Sequence, residues 1–345
     1  MEFSSDNWAG ATQSVMAALA RHTDGFTPAY GVDPLSRSIE QKFNTLFERE
    51  VAVFLVSTGT AANSLALAQY AKPAGSIFAH EEAHIAVDEC NAPEFMTAGN
   101  RIFTMKGEEG KITAQSVRAA MDCVPEGVVH HGQAAAVSIT QATEIGTLYR
   151  LEEIRAISEA AKSRGLPLHM DGARFANALV SLDVTPAQMT WQSGVDVLSF
   201  GATKNGCWCA EAVVFFNPDD AKGFEYLRKR SAQLFSKSRF ISAQFEGYFE
   251  NDSWLETAKH SNAMAQRLAE GLKALENVKL PVWPESNEVF PIIKRADCER
   301  LKQAGAGFYE WPASDLAADE VMIRLVTCFA TTPDSVNSLL KILQK

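Results

Sequence analysis

Short apolar segments alternate with helical patterns from about residue 45 to residue 216. Several predict strands that end in polar or glycine-containing loops: VAVFLV, GSIFAH, AAAVSIT, LPLHMDGA, VDVLSFGATKNG and AEAVVFF. Between two of them, LEEIRAISEAAKSRG places apolar residues at helical spacing and stops at Gly165. Strands that alternate with helices predict an α/β fold with a mostly parallel sheet, in which ligands bind beyond the carboxyl ends of the strands.

The pattern changes after about residue 252. SWLETAKHSNAMAQRLAEGLKALE predicts a long helix, and shorter strand signals follow in NVKLPVW, EVFPII and VMIRLVTCF. Pro333 is well placed to begin a last helix. We therefore expect a large domain over residues 20–252 and a smaller α+β domain over residues 253–345, which residues 1–19 join as an N-terminal segment.

The acidic charge balance narrows the choice of partners. The 345 residues carry 32 basic and 42 acidic side chains, a formal net charge of −10, which opposes binding to nucleic acid. No apolar stretch is long enough for a membrane span, and the first residues lack the pattern of a signal peptide. Six scattered cysteines favour reduced thiols, so we expect a cytoplasmic protein, with packing rather than a metal or redox role for Cys207 and Cys209.

The segment STGTAAN joins the first predicted strand to a helix. Gly59 allows a ligand to approach the backbone, Thr60 offers a hydroxyl, and the helix start presents free N–H groups. The segment lacks the glycine patterns of nucleoside-triphosphate and dinucleotide sites, which sets aside a nicotinamide-dependent dehydrogenase. Both a phosphate-binding turn and a plain strand-to-helix connection fit it.

Two charged residues follow later strands. Asp171, in HMDGAR, either pairs with Arg174 or keeps a heterocyclic nitrogen protonated. Lys204, in SFGATKNG, is either a surface lysine or a nucleophile whose amine must lose its proton to attack a carbonyl. Together with the turn at Gly59, they supply what pyridoxal phosphate needs: a phosphate site, a partner for the pyridinium and an amine. His84 follows the second strand, where a flat ring can stack on the cofactor.

Several motifs make the chain resemble the threonine aldolase family, fold-type-I pyridoxal-phosphate enzymes of the β-eliminating lyase superfamily. The likeness extends over almost the whole chain. The segments that are similar to family segments are FSSDNWAG, YGVDP, STGTAAN, EEAHI, HMDGAR and IRLVTCFATT. The resemblance implies that Lys204 bears the cofactor, that Asp171 meets its pyridine nitrogen and that His84 stacks on its ring. It also implies cofactor contacts at Gly59, Thr60 and Arg174, and substrate contacts at Ser5, Tyr30, Arg174 and Arg324. Thr203, beside the lysine, is a further candidate for a cofactor contact, and Glu144 is a further candidate for a substrate contact.

Two segments depart from the family pattern. Many members carry Glu-Asn-Thr-His before the central helix, where this chain reads SITQATEIGTLY and has no histidine. Many members have Ser-Lys-Gly-Leu at the lysine, where this chain reads GATKNG. The base for the substrate hydroxyl is therefore open among Glu144, a water relay through His84, and a water held by the cofactor phosphate. His130 and His131 are expected on the surface.

The resemblance implies cleavage of a β-hydroxy-α-amino acid, such as threonine, allo-threonine or phenylserine, to glycine and an aldehyde. It also implies a homo-oligomer, a dimer or tetramer, with active sites between subunits. We expect no nucleic-acid or membrane partner and no metal. The alternatives are an aminotransferase or β-eliminating lyase with the same cofactor, and a non-catalytic binding protein that keeps the fold.

Overall fold

A seven-stranded sheet forms the centre of the larger part of the molecule in the computed structural model, which describes residues 1–344. Its strands are β1 (Ala52–Val56), β2 (Gly75–His80), β3 (Arg101–Met105), β4 (Gln133–Thr140), β5 (Leu168–Gly172), β6 (Val197–Gly201) and β7 (Glu211–Phe215). The spatial order is β1-β7-β6-β5-β4-β2-β3, and only β7 pairs antiparallel, with both of its neighbours. The predicted α/β fold with a mostly parallel sheet is confirmed.

All the strands predicted for this sheet form, and one further strand joins them. β3, with the sequence RIFTM, lies at the edge of the sheet, where Arg101 and Thr104 are exposed. Its polar positions face water, so it lacks the continuous apolar run that marks the inner strands. The edge position explains why the sequence pattern did not reveal it.

Helices cover the sheets. Within residues 1–344 they are α1 (Gln13–Arg21), α2 (Pro34–Leu46), α3 (Gly59–Ala68), α4 (His84–Val87), α5 (Ala92–Met96), α6 (Ala114–Asp122), α7 (Leu151–Lys162), α8 (Phe175–Leu182), α9 (Pro186–Met189), α10 (Phe224–Arg230), α11 (Arg239–Phe249), α12 (Ser253–Lys273), α13 (Arg295–Gln303) and α14 (Pro333–Leu343). The predicted helices form as α7, α12 and α14. None of these helices combines the length and the apolarity needed to cross a lipid bilayer.

A second, antiparallel sheet lies in the C-terminal part of the chain. Its strands are β8 (Glu288–Val289), β9 (Ile292–Lys294), β10 (Tyr309–Trp311) and β11 (Glu320–Val326), and β11 pairs with each of the others. Phe3 is buried in the core beside this sheet, and Glu2 forms a bridge with Gly307. The N-terminal residues therefore pack on the C-terminal part of the molecule.

The predicted strand in NVKLPVW is wrong. Lys279 makes only an isolated bridge to Ile292. Pro281 and Pro284 follow within the same segment, and a proline cannot donate a backbone hydrogen bond to a neighbouring strand. The pairing therefore ends after one residue.

Aromatic packing fixes the strand that leads to Lys204. The ring of Phe200, in β6, is fully buried and lies 5.2–6.1 Å from the rings of Phe43, Phe175, Phe245 and Trp254. Aromatic pairs at such separations stabilise beyond the area that they bury. The loop after β6 thus starts from a rigid part of the core.

Candidate active site

A cavity of about 400 Å³ opens at the carboxyl ends of the central strands. Most of the residues expected from the sequence line it: Gly59, Thr60, His84, Glu144, Asp171, Arg174, Thr203 and Lys204. Its volume lies in the range of small-molecule sites. The cavity therefore lies where the parallel strands end, which is where the sequence pattern predicts a ligand site.

The loop that carries Lys204 is held from both sides. The Asn205 amide donates to the Tyr248 hydroxyl at 2.9 Å and to the Trp254 carbonyl at 2.8 Å. The Ala202 N–H donates to the Glu211 carboxyl at 3.0 Å. Burial raises the pKa of Glu211 to about 7, although its hydrogen bonds to the lysine loop oppose the rise. Lys204 therefore projects into the cavity from a backbone that has little freedom to move.

The turn before α3 has the geometry of an anion-binding cradle. Thr58 caps the helix by accepting from the Ala61 N–H at 3.1 Å, and the Gln233 side chain accepts from both the Ser57 N–H and its hydroxyl. A Cβ atom built on Gly59 would meet nothing within 4 Å, so the space beside its backbone is open to a ligand. A helix start with free N–H groups beside open space favours a phosphate.

Asp171 is almost fully buried at the end of β5. Its carboxylate accepts from the Asn63 amide at 2.8 Å and from the Ala173 N–H at 3.0 Å. The alternative pairing of Asp171 with Arg174 is wrong, since Arg174 binds other acids. The oxygen of the Asn63 amide is buried and has no donor. The carboxylate at this strand end is thus oriented by two donors and lines the cavity.

His84 belongs to a chain of hydrogen bonds that reaches Asp171. Its Nδ1 lies 2.8 Å from the Glu89 carboxylate, and the same Glu89 oxygen accepts from the Asn63 amide at 2.8 Å. The hydrogen bond to Glu89 is the main cause of a raised pKa at His84, while burial opposes it. Glu89, which the sequence analysis missed, lies on the turn after α4, and an acid there with a fully buried side chain is unusual.

Arg174 lies between two buried acids. Its Nε and Nη2 donate to Asp6 at 2.8 and 3.2 Å, and its Nη1 lies 2.9 Å from Glu288. Burial opposes the charge on the guanidinium, but Asp6 and Glu288 raise the pKa of Arg174 further. Burial raises the pKa of Glu288 to about 7, and Arg174 counteracts part of that rise. Asp6 and Glu288 were not expected from the sequence, because they lie far along the chain from Arg174.

Glu144 follows β4 and faces the same cavity. Its carboxylate accepts from the His84 N–H at 3.3 Å. Burial raises the pKa of Glu144, and Lys204 opposes this effect. The neighbouring Gln141 has a structural role, because its amide exchanges two hydrogen bonds of 2.9 Å with the backbone of Tyr149.

Three expected residues, Ser5, Tyr30 and Arg324, do not line the cavity. The Ser5 hydroxyl accepts from the Asn7 N–H at 3.1 Å, so it caps the short helical turn that contains Asp6. Tyr30 is half-exposed, and its ring centroid lies 5.1 Å from the Lys229 ammonium.

Arg324 lies beside the same N-terminal segment. It donates to the Ser4 carbonyl at 3.2 Å and stacks 4.7 Å from the Trp311 ring. Among residues 1–344 its buried Nε has no hydrogen-bond partner. Arg324 thus keeps an unused donor while it contacts the N-terminal segment that contains Asp6.

The other groups singled out from the sequence have ordinary surroundings. His130 and His131 are exposed, as expected. Cys207 is buried, and Cys209 lies at the cavity wall beside Trp208. Within residues 1–344 the one cluster with metal-ligating side chains is Cys298, Glu299 and Glu310, but the Lys302 ammonium lies within 3.0 Å of both carboxylates.

The cavity residues fit pyridoxal phosphate. The open space at Gly59 suits a phosphate, Asp171 is a buried carboxylate that suits a pyridinium, and Lys204 lines the same cavity. The His84 ring lies at the same cavity with an acid behind it. Each part of the cofactor therefore has a partner of matching chemistry.

Comparisons with known proteins agree with this geometry. Residues 2–295 match the model of the family described as beta-eliminating lyase. The chain is 41% identical to a low specificity L-threonine aldolase from Pseudomonas sp. (strain NCIMB 10558), over 91% of this chain and 90% of that protein. It is 42% identical to another from Pseudomonas aeruginosa, over 89% and 88%. The solved structure of Leishmania major threonine aldolase has a TM-score of 0.93 at 28% identity and covers 99% of this chain and 98% of its own.

Proposed function

Because this chain belongs to the β-eliminating lyase family, among the low-specificity threonine aldolases, we propose that it cleaves L-threonine and related β-hydroxy-α-amino acids. The reaction breaks the Cα–Cβ bond and releases glycine and an aldehyde. The single observation that carries the proposal is the meeting of Lys204, Asp171 and the Gly59 cradle around one cavity, on the fold of a threonine aldolase.

The cofactor end of the cavity supplies three functions. The N–H groups at the start of α3 bind the phosphate, and Asp171 stabilises a proton on the ring nitrogen. Lys204 presents its amine from a fixed loop. When bound, pyridoxal phosphate supplies a carbonyl group for amines and a ring that accepts the electron pair released at Cα.

The substrate end holds the amino acid by its carboxylate. Arg174 lines the cavity, and its guanidinium matches a carboxylate in shape and charge, but Asp6 and Glu288 already face its donors and a substrate carboxylate has to compete with them. Fixing the carboxylate fixes rotation at Cα and decides which bond breaks. Arg324, with its unused Nε, is a second candidate for this contact, together with Ser5.

Cleavage also needs a group that takes the proton of the β-hydroxyl. Glu144 lies at the cavity beside His84, and a carboxyl with a raised pKa suits proton transfer near neutral pH. We propose Glu144 as this base, acting directly or through a water shared with His84. The proton taken from the β-hydroxyl can be delivered to Cα when glycine forms. No net proton is therefore gained or lost in one turnover.

The direct test is product analysis with the purified protein loaded with pyridoxal phosphate. We expect glycine and acetaldehyde from L-threonine or L-allo-threonine, and glycine and benzaldehyde from phenylserine. Assaying all four threonine stereoisomers separates the configurations that are accepted. A keto acid or ammonia in place of glycine would instead identify an aminotransferase or a β-eliminating lyase, and absence of any product would favour a binding protein.

We also propose that a second copy of the chain completes the site. Large exposed apolar side chains support this assembly, among them Trp8, Phe26, Tyr30 and Trp208, which lines the cavity. Large exposed aromatic residues are a common mark of interfaces. If Tyr30 serves the partner's cavity, mixing inactive Tyr30→Ala and Lys204→Ala subunits will restore activity, whereas separate preparations stay inactive. No recovery from mixed subunits that have exchanged would contradict this role.

The remaining expectations are part of the same proposal. All six cysteines are free thiols in the structure, which supports a reducing compartment such as the cytoplasm. The two sheets have separate apolar cores, which supports a large domain over residues 20–252 and a small one over residues 253–345, although Val15, Trp254 and Ala258 pack in the core of the large sheet. Limited proteolysis tests this division by the position of the first cuts.

A further inference from the structure

We propose that Glu288 is a proton-linked positioning residue for the substrate carboxylate. Charged Glu288 holds the Arg174 guanidinium, and neutral Glu288 leaves it free to bind the substrate. This inference rests on the proposed function, since it requires that Arg174 binds the α-carboxylate.

The first support is that two buried acids share one guanidinium. The side chains of Arg174, Asp6 and Glu288 are 8%, 2% and 1% exposed. Asp6 already takes two hydrogen bonds from Arg174, through Nε and Nη2. A bidentate pair of this kind balances the positive charge by itself. Glu288 therefore adds a second negative charge beside a guanidinium that Asp6 already balances.

The second support is the unequal bonding of the two acids. Asp6 accepts a further hydrogen bond from the Asn287 amide at 3.1 Å. The Arg174 Nη1 lies 2.9 Å from Glu288 Oε2, but no donor points at that oxygen with hydrogen-bond geometry. A buried carboxylate without a directed donor is costly. Of the two acids, Glu288 is the one that gains more from a proton.

The charged groups around Glu288 come from four parts of the chain. Burial raises the pKa of Glu288, Arg174 before α8 lowers it, Asp6 and Glu144 raise it, and Arg324 from β11 lowers it. Their balance leaves this pKa at about 7. Both forms of the carboxyl are thus populated near neutral pH.

Substrate binding shifts this balance in one direction. A carboxylate at Arg174 adds a third negative charge to the group and competes for the guanidinium, so the proton affinity of Glu288 rises. By linkage, carboxylate binding takes up a proton, and affinity falls as the pH rises through the pKa of Glu288. The neutral form is the form that accepts the substrate.

Local packing leaves Glu288 little room to respond by moving. Gly146 has a φ of +79°, and a Cβ atom at that position would lie 3.1 Å from the Glu288 carbonyl oxygen and 3.2 Å from its Cβ. The loop that carries Glu144 therefore presses directly on the backbone of Glu288. With the backbone of Glu288 held in this way, protonation of its carboxyl relieves the excess charge without a shift of the chain.

The test measures carboxylate binding to the holoenzyme without bond formation to the cofactor. The probe is 3-hydroxybutyrate, which keeps the carboxylate and β-hydroxyl of threonine but has no amine. Calorimetry in buffers of different ionisation enthalpy gives both its affinity and the protons taken up. For the wild type we expect net uptake between about pH 7 and 8, and an affinity that falls about fivefold or more from pH 6.5 to 8.5.

The Glu288→Gln variant keeps the shape of the side chain but cannot titrate. We expect its proton uptake to vanish and its affinity to change less than about twofold over the same range. Glu285→Gln is the matched control, because Glu285 lies in the same segment but pairs with Arg150 and the Leu148 N–H. It should retain the wild-type dependence on pH.

The outcomes separate the two proposals. The role of Glu288 is overturned if proton uptake and pH dependence persist in Glu288→Gln. It is also overturned if the wild type binds the probe without taking up protons, or does not bind it at pH 6.5. An unchanged affinity in Arg174→Gln instead shows that the carboxylate binds elsewhere, which contradicts the proposed function of Arg174. If Glu288→Gln fails to fold, Glu288→Asp replaces it in the same measurement. Proton uptake over the same pH range as in the wild type would then also overturn the inference.

Discussion

The two ends of the cavity handle buried charge differently. At the cofactor end, Asp171 has two directed donors close to it in space, and the Lys204 loop is tied down by Asn205 and Glu211. At the substrate end, Asp6 and Glu288 surround Arg174, and Glu144 faces the same cavity.

The charges at the cofactor end are fixed, whereas those at the substrate end can change by protonation. The cofactor end is built so that its charges stay in place throughout a reaction, which suits a permanent ligand. The substrate end holds more negative than positive charge around a buried arginine, so its protonation depends on pH and on what is bound. A site that must bind and release a small acid at each turnover gains from such a balance.

The largest effect is expected at the fixed end. Lys204→Ala removes the amine that meets the cofactor, so turnover of L-threonine should fall roughly 10⁴-fold or more. The cofactor should still bind, because its phosphate and ring contacts remain. Glycine release and cofactor content measure the two effects separately. Lys204→Arg is the control that keeps the charge, and it should be equally inactive; normal cleavage by either variant would contradict the assignment.

Asp171→Asn tests whether the second fixed charge is needed. Asparagine has one acceptor oxygen, so it can replace the carboxylate for Asn63 or for Ala173 but not for both, and it cannot stabilise a proton on the cofactor ring. We expect kcat to fall about 10²- to 10³-fold with a smaller loss of cofactor affinity. Cleavage kinetics and cofactor titration check this, and a variant with normal kcat would show that the charge of Asp171 is not used.

Glu144→Gln tests a titratable group at the adjustable end. If Glu144 takes the hydroxyl proton, kcat should fall about 10²-fold. Because burial raises the pKa of Glu144, wild-type activity should rise with pH as this carboxyl ionises, and the variant should lose that rise. The exposed acid Glu82 provides the control Glu82→Gln. Unchanged kinetics in Glu144→Gln would leave a water as the base.

The smallest effect is expected from Glu89, which links the two ends through His84 and Asn63. Glu89→Gln should lower the pKa of His84, since its hydrogen bond to Glu89 is the main cause of the raised value. The imidazole would then lose its proton at a lower pH, which NMR of the histidine ring protons detects. We expect a loss in kcat of roughly tenfold. An unaltered His84 titration would show that Glu89 does not hold the ring.

The cofactor end was predictable from the sequence because each part lies in a short segment at a strand end. Gly59, Asp171 and Lys204 each follow an apolar strand, and parallel strands bring their carboxyl ends together. The β3 strand was missed because its edge position weakens the apolar pattern, and NVKLPVW was misread because its prolines end the pairing.

The substrate end was only partly predictable. Arg174 lies in the HMDGAR segment, but its partners Asp6 and Glu288 come from opposite ends of the chain. No local spacing reveals a contact between residues so far apart in sequence. Glu89 was missed for a different reason. What marks it as unusual is the burial of its side chain, which its position beside His84 in the sequence does not reveal.

Lys204 as the residue that bears the cofactor is the claim on which the account depends most. Borohydride reduction of the purified holoenzyme makes the bond between protein and cofactor permanent, and peptide mapping by mass spectrometry then locates it. We predict a single pyridoxyl group on the peptide that contains Lys204. A label on another lysine, or none in protein that contains the cofactor, would contradict the account.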